Sequence, residues 1–140
     1  MTHPRRFDTK IAVLLRDDLL AWQRLNVTAF LISGIASTHG EVIGKAYTDA
    51  DGLTYLPMFR QPVLVFAGDP ETLAAARGRA LQRGLAPAIF TSDLFLTSND
   101  EDNRAAVQAT RTDRLDLVGL AVYGPKNAVD KVVKGAVLHP

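Results

Sequence analysis

The stretch KIAVLLRDDLLAWQRLNVTAFLISGIAS, Lys10 to Ser37, sets an apolar strand directly before a long helix. Ile11-Ala12-Val13-Leu14-Leu15 is an unbroken apolar run without period-2 alternation, the pattern of a strand covered on both faces. After the charged turn Arg16-Asp17-Asp18, the residues Leu25, Ala29, Ile32 and Ala36 recur at helical spacing. They share one face, which this periodicity predicts as core. Trp22, Asn26 and Ser33 fall on a line beside it, and Arg24 and Thr28 fall on another with Leu31 and Ile35. A strand that runs straight into a helix places the turn at its own carboxyl end, where open α/β sheets bind ligands. Arg16, Asp17, Asp18 and the first helical turn then rim any crevice.

The remaining segments follow the same grammar. Tyr47 and Tyr55 flank Asp49-Ala50-Asp51-Gly52, an Asp-Gly turn between short β-prone runs that predicts a hairpin. The Asp-Ala-Asp-Gly string lacks the further acidic ligands and closing Glu of a calcium loop. Pro62 to Ala67 is a second continuous apolar strand. Asp69 caps the helix that follows, Pro70 takes its first position and Gly84 stops it after Leu81. Ala86 to Thr91 forms a third strand, and Ser98-Asn99-Asp100-Glu101 opens a short helix through about Ala109 as a capping box. Leu117 to Tyr123 is the last strand, with Gly124-Pro125 starting a helix that carries Val129, Val132 and Val133 before Gly135.

Composition narrows the function classes. A chain of 140 residues suits one domain, 1–140, and 47% hydrophobic with 22% charged content excludes a disordered or low-complexity class. Zero cysteines leave no disulfide, thiolate metal site or cysteine nucleophile, which fits a reducing compartment. His3, His39 and His139 are scattered, and neither a metal nor a cofactor is expected. The polar start MTHPRRFDTK lacks the apolar core of a signal peptide, and no apolar run has the length of a membrane span, so a cytoplasmic protein without membrane contact is expected. Sixteen Lys and Arg against fifteen Asp and Glu give a net charge of +1, far from the basic balance of a nucleic-acid binder. Two basic patches, Arg5-Arg6-Lys10 and Lys126-Lys131-Lys134, read as solvated faces.

The strings RDDLLAWQRLNVTAFLISG, YLPMFRQPVLVFA, LAPAIFTSDLF and LDLVGLAVYGPKNAVDKVVKG resemble a bacterial family known only as a domain of unknown function, number two thousand. More distantly, the opening strand-helix unit and the closing strand, Gly-Pro and Val-Asp-Lys helix are similar to peptidyl-tRNA hydrolase of type II. That resemblance implies a three-layer α/β/α fold with a four-stranded mixed sheet, its third strand antiparallel to the others, here with an added hairpin and a short helical insertion. The hydrolases open their first helix with Gly-Lys and then Gln and His, where this chain has Gln23-Arg24, Thr28 and Leu31. Their Asp-Ala-Gly-x-Thr string corresponds here to Thr91-Ser92-Asp93-Leu94-Phe95, which leaves Asp93 as the nearest carboxylate. Arg24 keeps the charge of the lysine it would replace but not a deprotonatable amine.

Three functions are therefore carried forward. The first is a small anionic-ligand site at the carboxyl ends of the first and last strands, built from Arg16, Asp17, Asp18, Trp22, Arg24, Asn26, Thr91, Ser92 and Lys126. Each of these residues also has a structural role open to it: Arg16 and Lys126 solvated, Asp18 capping the helix, Trp22 in core, Asn26 on backbone. The second is a non-catalytic homo-oligomer, a dimer first, joined through the helix stripe or the hairpin. The third is a peptidyl-tRNA hydrolase with rearranged catalytic residues, against which the near-neutral charge argues. No nucleophile elbow or paired-histidine motif names a reaction.

Overall fold

Strand β1, Thr9–Arg16, lies at the centre of the sheet, with Ile11 to Leu14 completely inaccessible to solvent. A computed structural model describes residues 6–140. His3 and Arg5 lie outside the described residues. After β1 come helix α1 (Ala21–Thr38), the hairpin strands β2 (Tyr47–Thr48) and β3 (Thr54–Tyr55), and strand β4 (Val63–Gly68). Helix α2 (Pro70–Gln82), strand β5 (Ala88–Thr91) and helix α3 (Asp100–Gln108) follow. Strand β6 (Leu117–Pro125), helix α4 (Lys126–Val132) and strand β7 (Val137–Leu138) complete the chain.

The sheet is mixed and five-stranded, in the order β5-β6-β1-β4-β7. Four strands were expected; the fifth, β7, is a two-residue strand that pairs Phe66 with Leu138 and Ala67 with Val137. A strand that short carries no period of its own. A second correction concerns direction. β1 and β4 run parallel, and β5 points the same way, because both β5 and β1 are antiparallel to β6. The reversed strand among the four long ones is therefore the last, not the third.

Alternation along β1 divides the core into two layers around the sheet. Ile11, Val13 and Leu15 meet Val27, Leu31 and Ile35 of α1 on one side. Ala12 and Leu14 meet Leu73, Ala76 and Ala80 of α2 and Val129 and Val132 of α4 on the other. The result is an α/β/α sandwich.

The buried face of α1 is thus Val27, Leu31 and Ile35, and Leu25 of the expected core face is 74% exposed. A helix apolar nearly all round has more than one stripe with the right period, so its phase is set by what it meets. Here that is Gly119 of β6, where an added Cβ would stand 2.7 Å from Val27 Cγ1 and 3.0 Å from Leu31 Cδ1. The missing side chain admits the helix.

Local chemistry ends the elements as expected in most places. Asp69 Oδ1 accepts from the Thr72 amide at 2.8 Å and its hydroxyl at 2.7 Å, with Pro70 at the first position of α2. These bonds hold the Asp69 carboxyl below its ordinary range. Asn99, rather than Ser98, caps α3 by accepting from the Asp102 amide. In the hairpin, Tyr47 pairs with Tyr55, Gly52 takes φ +86°, and Asp49 accepts from the Tyr55 phenol at 2.7 Å and from the amides of Asp51 and Leu53.

Candidate functional site

The carboxyl end of β1 holds an ion cluster. Arg16 donates from Nε to Asp18 at 2.6 Å and from its terminal nitrogen to Asp116 at 2.9 Å. Partial burial pulls the guanidinium down, and Asp18 and Asp116 outweigh it, leaving Arg16 above its ordinary value. Asp18 is therefore a partner of Arg16 and not the helix cap; the Leu20 amide at the start of α1 is met by the Gln23 side chain instead. Thr91 and Ser92 arrive at the same end, since Thr91 pairs with Leu117 and the Ser92 amide donates to the Asp116 carbonyl. Thr91 is 2% exposed, and among the described residues its hydroxyl has no partner. With Asp17 exposed beside two carboxylates already on Arg16, this corner favours no anion.

Lys126 is not part of it. Because β6 runs against β1, Pro125 faces Thr9 and the Lys126 amide donates to the Asp8 carbonyl, at the amino end of β1. β1 and β6 are neighbours, but because they are antiparallel their carboxyl ends lie at opposite ends of the strands, so the expected set does not form one site. Lys126 instead borders a cleft of about 360 Å³ with Arg6, Lys10 and Gln61, where Lys10 is already paired with Asp130. Arg24 also separates. Its Nε donates to the Leu19 carbonyl at 2.8 Å, and it borders an open valley with Leu25 and Val65.

Trp22 and Asn26 form the part that does converge. They lie one turn apart on α1, and with Phe30 they make one wall of a groove whose other wall is Phe90, Leu94 and Phe95. The rings interlock: Trp22 meets Phe95 edge-on with centroids 5.7 Å apart, Phe30 meets Phe90 edge-on at 5.7 Å, and Phe90 and Phe95 tilt together at 5.2 Å. A tight helical turn, Ser92–Phe95, at the exit of β5 carries Leu94 and Phe95 into place. Thr97 and Asn103 close the polar end, hydrogen-bonded to each other. The groove has about 500 Å³ at this end, and a cavity of about 510 Å³ that shares Phe30, Phe90, Leu94 and Asn103 with it runs along α3 past Gly34 and Val107.

Phe30, Phe90, Leu94 and Phe95 join the site although none of them belongs to the set expected from sequence. The signal available is that three of the chain's six phenylalanines and its one tryptophan fall in two short stretches, 22–30 after β1 and 90–95 at the end of β5 and just beyond it. Among the described residues no group of three or more His, Asp or Glu is placed to hold a metal ion. No helix among them is long and apolar enough to cross a membrane.

One solved structure, the protein of unknown function Atu0240 from Agrobacterium tumefaciens strain C58, is similar over 96% of this chain and 100% of its own, with a TM-score of 0.94 and 44% identity. No curated protein matches the chain. The model of the protein-of-unknown-function family DUF2000 matches residues 9–140, and the chain belongs to that family.

Proposed function

We propose that this protein binds a small, flat, largely apolar organic molecule with one or two hydrogen-bonding groups, in the groove between α1 and α3. One observation carries the reading: Trp22, 58% exposed, stands beside Phe30 at a concave place, opposite the rings of Phe90 and Phe95, rather than in the core. Large exposed aromatics are costly to leave in water, and concave aromatic walls with a few polar groups are the usual form of a small-molecule site. The volume suits such a ligand. Asn26 and Ser98 supply hydrogen-bonding groups along the rim. This replaces the anionic ligand at the strand ends, because Arg16 is neutralised there and Lys126 lies elsewhere. The setting in this reading is the cytoplasm, which a chain without cysteines suits.

The hydrolase activity does not enter it. Arg24, the residue that would stand for the lysine, is tied to backbone away from the groove, and Asp93 sits exposed in the turn.

The chain has one tryptophan, so its emission reports on the groove directly. We expect a saturable change in Trp22 emission on titration with at least one of a panel of aromatic carboxylates, N-acyl amino acids and nucleobases. Occupancy at about 100 times Kd should add about 2.7 kcal/mol of stability in a melt. No emission change and no melting shift across the panel would overturn the reading. A response to deacylated tRNA alone would replace it with the hydrolase.

A further inference from the structure

The groove between α1 and α3 differs in sign from the rest of the molecule. The chain as a whole carries a net charge of +1. From Thr91 at the end of β5 to Gln108 at the end of α3, however, the carboxylates of Asp93, Asp100, Glu101 and Asp102 stand against the guanidinium of Arg104 alone, a net −3. The facing wall does not restore the balance. Arg24 is the one charged residue of α1, and it borders a different cavity, with its Nε on the Leu19 carbonyl.

Among the residues that line the aromatic end of the groove, Asp100 is the only one with an ionisable side chain. It lies in the first turn of α3, and Arg104 pairs with it from the next turn at the surface. Exposed pairs of this kind are weak, so the carboxylate can exchange that partner for a ligand. The positive end of α3 does not reverse the sign: Asn99 already accepts from the Asp102 amide, and three carboxylates stand in that turn. The rings have the same preference. Trp22 and Phe30 are more than half exposed, and an aromatic face carries the negative side of a quadrupole, which attracts a cation and repels an anion. A concave place concentrates the field of nearby charges on whatever enters it. Aromatic walls and an acidic rim are two separate features that select one kind of charge.

We infer that the molecule held in this groove is an organic cation, an arylalkylammonium whose ring lies against Trp22 and Phe30 and whose charged nitrogen meets Asp100. The inference rests on the reading of the groove as a small-molecule site and adds the charge of the ligand to it. An alkylamine of about the basicity of lysine, roughly 10.4, is already protonated at neutral pH, so the protein need move no proton to bind it. An aromatic carboxylate of the same shape meets the same rings but faces Asp100 with like charge.

Trp22 emission, excited where phenyl groups do not absorb, reads three probes built on one ring and one short chain: phenylethylammonium, phenylpropionamide and phenylpropionate. We expect the ammonium to bind about tenfold tighter than the carboxylate at low ionic strength, with the neutral amide between them, and the gap to narrow as salt is raised. Asp100→Asn should close most of the gap and Arg104→Gln, which frees Asp100, should widen it, while affinity for the amide stays the same in both. Both side chains are exposed, circular dichroism identifies the folded variants, and either variant alone is decisive. A carboxylate that binds as tightly as the ammonium overturns the inference and leaves the groove reading standing, and so does a gap unchanged in folded Asp100→Asn or folded Arg104→Gln. Silence from all three probes also overturns it; silence from the wider panel as well takes the groove reading with it.

Discussion

Trp22 of α1 meets Phe95 of the turn after β5 edge to face, ring centroids 5.7 Å apart and planes at 71°. The contact ties the first helix to the insertion across the open side of the groove. Phe95→Ala removes it together with the Phe90 contact, and such pairs are worth about 0.5–1.5 kcal/mol each beyond buried area. We expect a red shift of Trp22 emission, a stability loss of about 1–3 kcal/mol by urea titration, and weaker response to any groove ligand.

Gly119 and α1 make a sharper prediction. Gly119→Ala sets a methyl group against Val27 and Leu31, and overpacking of this kind costs about 1–3 kcal/mol. Denaturant unfolding should show that loss with an unchanged slope.

The phase of α1 is tested by two truncations. Leu31 is 1% exposed, so Leu31→Ala should cost about 2–5 kcal/mol at any protein concentration. Leu25→Ala should cost no more than about 0.5 kcal/mol in dilute protein, as exposed positions do.

Asp69 supplies a pH dependence. Its folded pKa is lowered by Thr72, so the contribution of this cap is present above the unfolded value of about 3.9 and is lost as pH falls through the folded value. Asp69→Asn should therefore melt below wild type at neutral pH, and the difference should shrink as pH drops below about 4. A difference independent of pH would assign the loss to something other than the carboxylate.

Most elements were legible because their signals are local. The apolar runs of β1 and β4, the Asp69-Pro70 opening of α2 and the Asp-Gly turn each act within a few residues. Properties decided by distant partners were not. The burial of Val27, Leu31 and Ile35 in place of the Leu25 stripe depends on a glycine about ninety residues away in β6. The direction of β6 is likewise a property of the sheet, and the misplacement of Lys126 follows from it alone. The groove was half legible: Trp22 and Asn26 stand out as polar-edge residues of a helix, whereas Phe90 and Phe95 read as ordinary strand and turn apolars until α1 lies across them.

The last long strand also governs when the molecule comes into being. β6, residues 117–125, lies between β5 and β1 and under α1 and α2, and it pairs with β1 across more than a hundred residues of chain. On the ribosome, β1, α1, β4 and α2 emerge with their inner faces still lacking this strand. Closure is a late event, of the kind that non-local pairing makes slow. Truncation anywhere before Leu117 leaves Val27, Leu31 and Leu14 without their neighbours, and such a fragment is a substrate for chaperones and proteases rather than a smaller working version of the protein.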